Sequence, residues 1–169
     1  MLAVSGQLDR TLYGSLQTWK SRDFSVNDAN EEIGKYATPR RTIYLPVVRS
    51  SIHEMLQLFD FGDPNAVTAH RTNTTVAPQA LFMLNSEFVS GQARHFATRL
   101  TNDCLHERDR IHRAYSLCLG RLASDDETQR AVDLLDALRR GHPGPEGDLA
   151  AWTMFCQALF SLNEFMYVD

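Results

Sequence analysis

Along the second half of the chain, apolar residues recur at intervals of three and four, the spacing of one face of an α-helix. Ile111, Ala114, Tyr115, Cys118 and Leu119 fall on one such stripe, and Gly120 stands where a left-handed residue would end the helix. Ser124, followed three residues later by Glu127, is a capping-box signature. It opens a helix whose core face is Ala131, Leu134, Leu135 and Leu138 and whose end is Gly141. Val89, Ala93, Phe96 and Leu100 predict a helix from Glu87 to about Leu100, with Ser86 at its cap. A last helix, from about Asp148 to Phe165, presents Leu149, Trp152, Cys156, Leu159 and Phe160. Phe155, Leu162 and Met166 widen that face and predict a central position in a bundle. The preceding HPGPEG reads as a loop.

Upstream the signals are weaker. Pro78 suits the first position of a helix, and the five consecutive apolar residues from Ala80 to Leu84 predict burial nearly all round. Ile52, Met55, Leu56 and Phe59 outline a shorter helix, capped by Ser50 or Ser51 and stopping near Phe61. TIYLPVV at residues 42–48 is the one strand-like run. Pro46 denies it a ladder donor, so it is expected as an edge strand or extended connector. Leu2, Leu8, Leu12 and Leu16 suggest a short amphipathic segment broken by Gly6 and Gly14, and a polar stretch containing SVNDANEE follows. The expected fold is all-α, an irregular bundle of five to six helices with one short extended segment near residues 42–48. Residues 1–39 form an irregular N-terminal segment of that plan, and residues 40–169 form the helical domain.

Composition narrows the function classes without choosing one. The 169 residues suit one domain of ordinary size. Seventeen Lys and Arg against 21 Asp and Glu leave a net charge of −4, which gives no basis for nucleic-acid binding or a polybasic membrane surface. No apolar run approaches the roughly 20 residues of a membrane span, and MLAVSGQLDR lacks the regions of a secretory signal. The three cysteines, Cys104, Cys118 and Cys156, form no C-x-x-C pair. They read as core thiols rather than a disulfide framework, with one bridge left open.

Candidate chemistry is sparse. The sequence holds no G-x-S-x-G, phosphate loop, G-x-G-x-x-G or H-E-x-x-H, and no C-x-x-C-H for haem attachment. Cys104, His106, His112 and Cys118 come nearest to a metal cluster, but helix-borne ligand pairs sit three or four residues apart and these do not. No catalytic residue, metal ligand or cofactor is expected. The polar stretch between two apolar helices carries Asp60, Asp63, Asn65, Arg71 and Gln79, and Arg40 and Arg41 flank the strand-like run. These seven residues allow a ligand loop, with Arg71 on an anionic group. They equally allow a structural knot of turns, caps and an Asp–Arg pair that satisfies helix ends, and this second reading is favoured.

Five blocks also carry a resemblance: RRTIYLPVVR (Arg40–Arg49), LFDFGDPN (Leu58–Asn65), TTVAPQALFMLNSEFV (Thr74–Val89), AYSLCLGRLASDDE (Ala114–Glu127), and WTMFCQALFSLNEFMYVD from Trp152 onward. Together with AVSGQLDRTLYG at the start, they resemble the C-terminal planctomycete-specific domain of unknown function. Three departures stand out. The helix that usually precedes the AVSGQLD segment is not in the sequence, SVNDANEE is unusually polar, and Glu87 replaces a common proline. The resemblance implies the C-terminal part of a larger exported or periplasmic protein, often with a c-type-cytochrome-like module upstream, and an apolar patch near the present N-terminus. It supplies no catalytic residues.

Two functions follow as expectations. The first is a non-catalytic helical module that packs against other domains of a cell-envelope protein or against a second copy. The second is an enzyme or carbohydrate-binding subunit of envelope polysaccharide metabolism that uses the loop at residues 60–79.

Overall fold

A computed structural model describes residues 1–14, 38–45, 47, 52, 54–59, 61–62, 77–141 and 143–167. Helix accounts for 72% of these residues, in eight α-helices and one short 3-10 segment, and no strand or sheet occurs among them. The all-α class is therefore observed. The described chain divides into two compact units, Met1–Gln7 with Ala80–Asp169, and Leu8–Gln79.

The larger unit is built around one helix. Its elements are α1 (Leu2–Ser5), most of α3 (Ala77–Asn85), α4 (Glu87–Asp103), α5 (Glu107–Leu119), α6 (Asp125–Gly141), α7 (Pro145–Phe160) and α8 (Asn163–Met166). Helix α7 packs on α4, α5, α6 and α8, the central position expected from its wide apolar face. Trp152, Cys156 and Phe160 of α7 are completely buried, as are Phe96 and Leu100 of α4 and Leu135 of α6. The rings of Phe96 and Phe160 stack at 5.8 Å, and Trp152 meets Phe155 edge-on at 5.6 Å.

Local chemistry sets the helix ends. Gly120 takes φ 72° and its N–H donates to the Ser116 carbonyl, closing α5 as its spacing predicted. The capping box at the start of α6 is reciprocal. The Ser124 N–H donates to Glu127 Oε2 at 2.8 Å, and the Glu127 N–H donates to Ser124 Oγ at 3.2 Å. Helix α1 ends at Gly6 (φ 82°), and its last carbonyls accept from Arg99, at 3.3 Å for Ala3 and 2.8 Å for Val4. On α7, Gln157 Nε2 donates to the carbonyls of Met83 and Leu84, satisfying the C-terminal end of α3.

Four expectations need correction. Helix α7 begins at Pro145 rather than near Asp148, so half of HPGPEG is helical. Gly144 takes φ 110°, which suits glycine, and Pro145 enters at N1, where its missing N–H costs nothing. The same helix stops at Phe160 rather than Phe165, because Leu162 is extended and α8 starts afresh at Asn163. Leu134 and Leu162, expected in the core, are 40% and 39% exposed. The apolar run of α3 is not buried all round: Met83 and Gln79 are buried, whereas Leu81 and Leu84 are 58% and 61% exposed.

In the unit Leu8–Gln79, the segment expected to be extended at 42–48 opens instead as a 3-10 turn, Thr42–Tyr44. Tyr44 N–H donates to Arg41 O, Leu45 N–H donates to Thr42 O, and the chain becomes extended at Leu45. β-Branched residues favour a strand only where a neighbouring strand supplies pairing, and here the pairing is one isolated parallel bridge between Asp9 and Arg40. The short helix predicted around Met55 and Leu56 is α2, Glu54–Leu58. Its proposed caps, Ser50 and Ser51, lie outside the described residues.

Candidate functional site

Three of the seven residues singled out from the sequence are described. Gln79 is 4% exposed, and its Nε2 donates to the Leu58 carbonyl at 2.7 Å, closing the end of α2. Arg40 directs Nη2 at the carbonyls of Thr11 (3.0 Å) and Tyr13 (2.6 Å) and lies 4.2 Å from the centre of the Tyr44 ring. Its Nε is buried and has no hydrogen-bond partner among the described residues. Arg41 is exposed and lends its carbonyl to the 3-10 turn. Asp60, Asp63, Asn65 and Arg71 lie outside the described residues.

Among the described residues, the densest polar chemistry lies elsewhere, at the meeting of α5, α6 and α8. Arg121, just past Gly120, forms a bidentate pair with Glu127, at 2.8 Å from Nη1 to Oε2 and 2.8 Å from Nη2 to Oε1. A second bidentate pair joins it to Glu164 of α8, at 2.7 Å from Nε and 2.8 Å from Nη2. The guanidinium hydrogen bonds hold the Glu127 carboxyl down at about 2, helped by the Ser124 N–H, and Glu164 is lowered by the same Arg121. All five N–H donors of Arg121 are committed, because Nη1 also reaches the Leu122 carbonyl at 3.2 Å.

Beside this fork lies an open groove of about 500 Å³ between α5, α6, α7 and the start of α8. Leu134, Phe155, Leu159 and Leu162 supply apolar walls, with Tyr115 and Arg130 also on its surface. Tyr115 is 7% exposed, and its hydroxyl forms no hydrogen bond among the described residues. Burial pushes its pKa above the ordinary phenol value, so it faces the groove as a neutral O–H.

A third arginine, Arg139, joins three helices through Glu107 of α5 (2.6 Å) and Asp148 of α7 (2.7 Å), which is a bundle-tying role. Among the described residues, no group of three or more His, Cys, Asp and Glu side chains is placed to hold a metal ion. No described helix is long and apolar enough to cross a membrane.

Comparison with protein families gives one match. The family described as PSD1, protein of unknown function (DUF1553), matches residues 1–135. The chain belongs to the PSD1 family. The resemblance carried by the sequence blocks is thereby established, although the block from Trp152 onward lies beyond the matched span. The PSD1 match ends at Leu135, inside α6, so the helix at the centre of the core is outside it. No curated protein and no solved structure matches the chain.

Sequence reasoning missed the Arg121 fork and the groove. The capping box marked Glu127, and AYSLCLGRLASDDE contains both Tyr115 and Arg121, so the residues were in view. Glu164 is 43 positions from Arg121, and no local pattern announces that pairing.

Proposed function

We propose that this PSD1 chain is a non-catalytic packing and assembly module of a larger cell-envelope protein. The observation that carries the reading is an exposed apolar face on α3 and the start of α4. Leu81 and Leu84 lie one turn apart on α3, a helix without a single charged residue, and Phe88 follows in the first turn of α4. These side chains stand on fixed backbone, since Gln157 holds the end of α3. Exposed apolar surface on an ordered helix favours contact with another apolar surface. Arg40 and Gln79, the described members of the sequence-derived site, direct their donors at backbone carbonyls, as in a structural role. Placement in the cell envelope follows from the family resemblance.

The partner is a complementary apolar helix face, from another domain of the parent protein or from a second copy of this chain. The test is the double substitution Leu81→Glu with Leu84→Glu. Both positions are exposed, so the helical spectrum and melting temperature are expected to hold. Concentration-dependent self-association, read by light scattering, or co-purification with the remainder of the parent chain is expected to be lost. Unchanged association in both assays would refute the assembly reading.

A further inference from the structure

The groove between α5, α6, α7 and α8 has the makings of a ligand site, and it is separate from the face on α3 and α4. Its volume of about 500 Å³ falls within the range of roughly 300–1,000 Å³ common to small-molecule pockets. Its walls are mostly apolar, from Leu134, Phe155, Leu159 and Leu162. Leu134 and Leu162 remain about 40% exposed there, although both lie on the apolar faces of their segments.

Two polar groups at this groove have unused capacity. The Tyr115 hydroxyl belongs to a side chain more than nine-tenths buried, yet it has no hydrogen-bond partner among the described residues. The hydroxyl itself is reached by solvent, so a ligand atom can reach it from the groove. Arg130 is exposed at the rim and makes one contact, from Nε to its own helix at Asp126 O (3.3 Å), with no carboxylate partner among the described residues. Glu127 and Glu164 line the same groove, but their carboxylates hydrogen-bond Arg121 and not Arg130. Arg130 and Tyr115 both line this groove.

We propose that this groove binds a monoanionic amphiphile, with its apolar body against Leu134, Phe155, Leu159 and Leu162 and its carboxylate accepting from Tyr115 Oη–H and the Arg130 guanidinium. One carboxylate is the most that the groove can pair. Arg130 is the sole uncommitted cation at the groove among the described residues, and the fork of Arg121 with two glutamates already leaves one net negative charge beside it. A second anionic group on the ligand would face that charge.

The experiment is a titration of the full chain with octanoate and, separately, with 1-octanol, followed by amide chemical-shift changes. Saturable shifts confined to residues around Tyr115, Arg130–Leu134 and Phe155–Glu164 are expected with octanoate. Tyr115→Phe keeps the ring in the core and removes only the hydroxyl, and Arg130→Gln alters an exposed side chain, so both variants are expected to stay folded. Each should weaken octanoate binding about tenfold, the effect of losing one hydrogen bond to a charged group, and leave octanol binding unchanged. Octanol binding as tightly as octanoate, equal affinity in the two variants, or no saturable shift would each overturn the proposal. So would a protein partner that occupies these residues while octanoate does not. The Leu81 and Leu84 substitutions leave this groove intact, so failure here is distinct from failure of the assembly reading.

Discussion

Arg121 and Glu164, 43 positions apart in the sequence, meet in a two-point contact of 2.7 and 2.8 Å. Because Arg121 simultaneously holds Glu127 at the first turn of α6, one guanidinium fastens the short helix α8 to the start of α6. Helix α8 has only four residues and could not persist alone. Its position rests on this fork and on Phe165 and Met166, which pack against the core.

The fork gives stability a defined pH dependence. The Glu127 carboxyl is held at about 2, against an ordinary value of 4.5, chiefly by hydrogen bonds from Arg121. A depressed folded-state pKa means that the contribution is fully present above the unfolded value. It is lost as pH falls from 4.5 through about 2. The pair is partly exposed, so the effect is modest and screened by salt. Thermal unfolding from about pH 6 down to pH 2.5 should show a declining melting temperature. Glu127→Gln, which can still cap Ser124, should flatten that decline. An equally steep decline in the variant would assign the acid sensitivity to other carboxylates.

Two glycines should respond in opposite directions to the same substitution. Gly120 sits at φ 72°, and an alanine there would be strained by about 1–2 kcal/mol. Gly91 lies inside α4, and a Cβ added to it would meet nothing within 4 Å. Gly91→Ala should therefore stabilise the protein by roughly 0.5–1 kcal/mol through helix propensity. Denaturant midpoints of the two single variants, with an unchanged slope, measure both signs.

Local rules were legible and long-range ones were not. The Gly120 stop, the Ser124–Glu127 box and the buried face of α4 depend on residues within a few positions of each other, and each was readable from spacing. Pro145 and Gly144 were equally local, but a glycine–proline pair serves both loops and helix starts, and the spacing alone pointed to the loop. The apolar run of α3 told its composition and not its neighbours, so the exposure of Leu81 and Leu84 could not be read from it. Tyr115 lies on the core stripe that the spacing predicts, but the groove it lines is formed by helices brought together from distant sequence. Within residues 60–79, only Phe61, Gly62, Ala77, Pro78 and Gln79 are among the described residues.

Adjacent leucines on α6 offer a direct check of which side of that helix is core. Leu135 is fully buried, whereas Leu134 is 40% exposed on the groove. Leu135→Ala should cost about 2–5 kcal/mol, because it leaves a cavity among packed side chains. Leu134→Ala should cost well under half as much, since water already reaches the site. Similar losses in the two variants would place the groove inside the core and remove the ligand site with it.

Cys118 and Cys156 should report unfolding rather than surface chemistry. Burial pushes the Cys118 thiol up to about 12, and it raises Cys156, completely buried on α7, well above its ordinary value. The thiolate is the reactive form, so at pH 8 the folded protein presents almost none of it at either position. Desolvation, the leading cause in both, disappears when the chain unfolds. With iodoacetamide at pH 8, Cys156 is expected to be alkylated only as fast as the bundle opens globally, because α7 is its central helix. Its labelling rate should therefore rise with denaturant in step with the unfolding equilibrium, and Leu135→Ala should accelerate it by the factor that matches its loss of stability. Rapid labelling of Cys156 in native buffer, without that dependence, would show that α7 opens locally and is not the most protected element of the core.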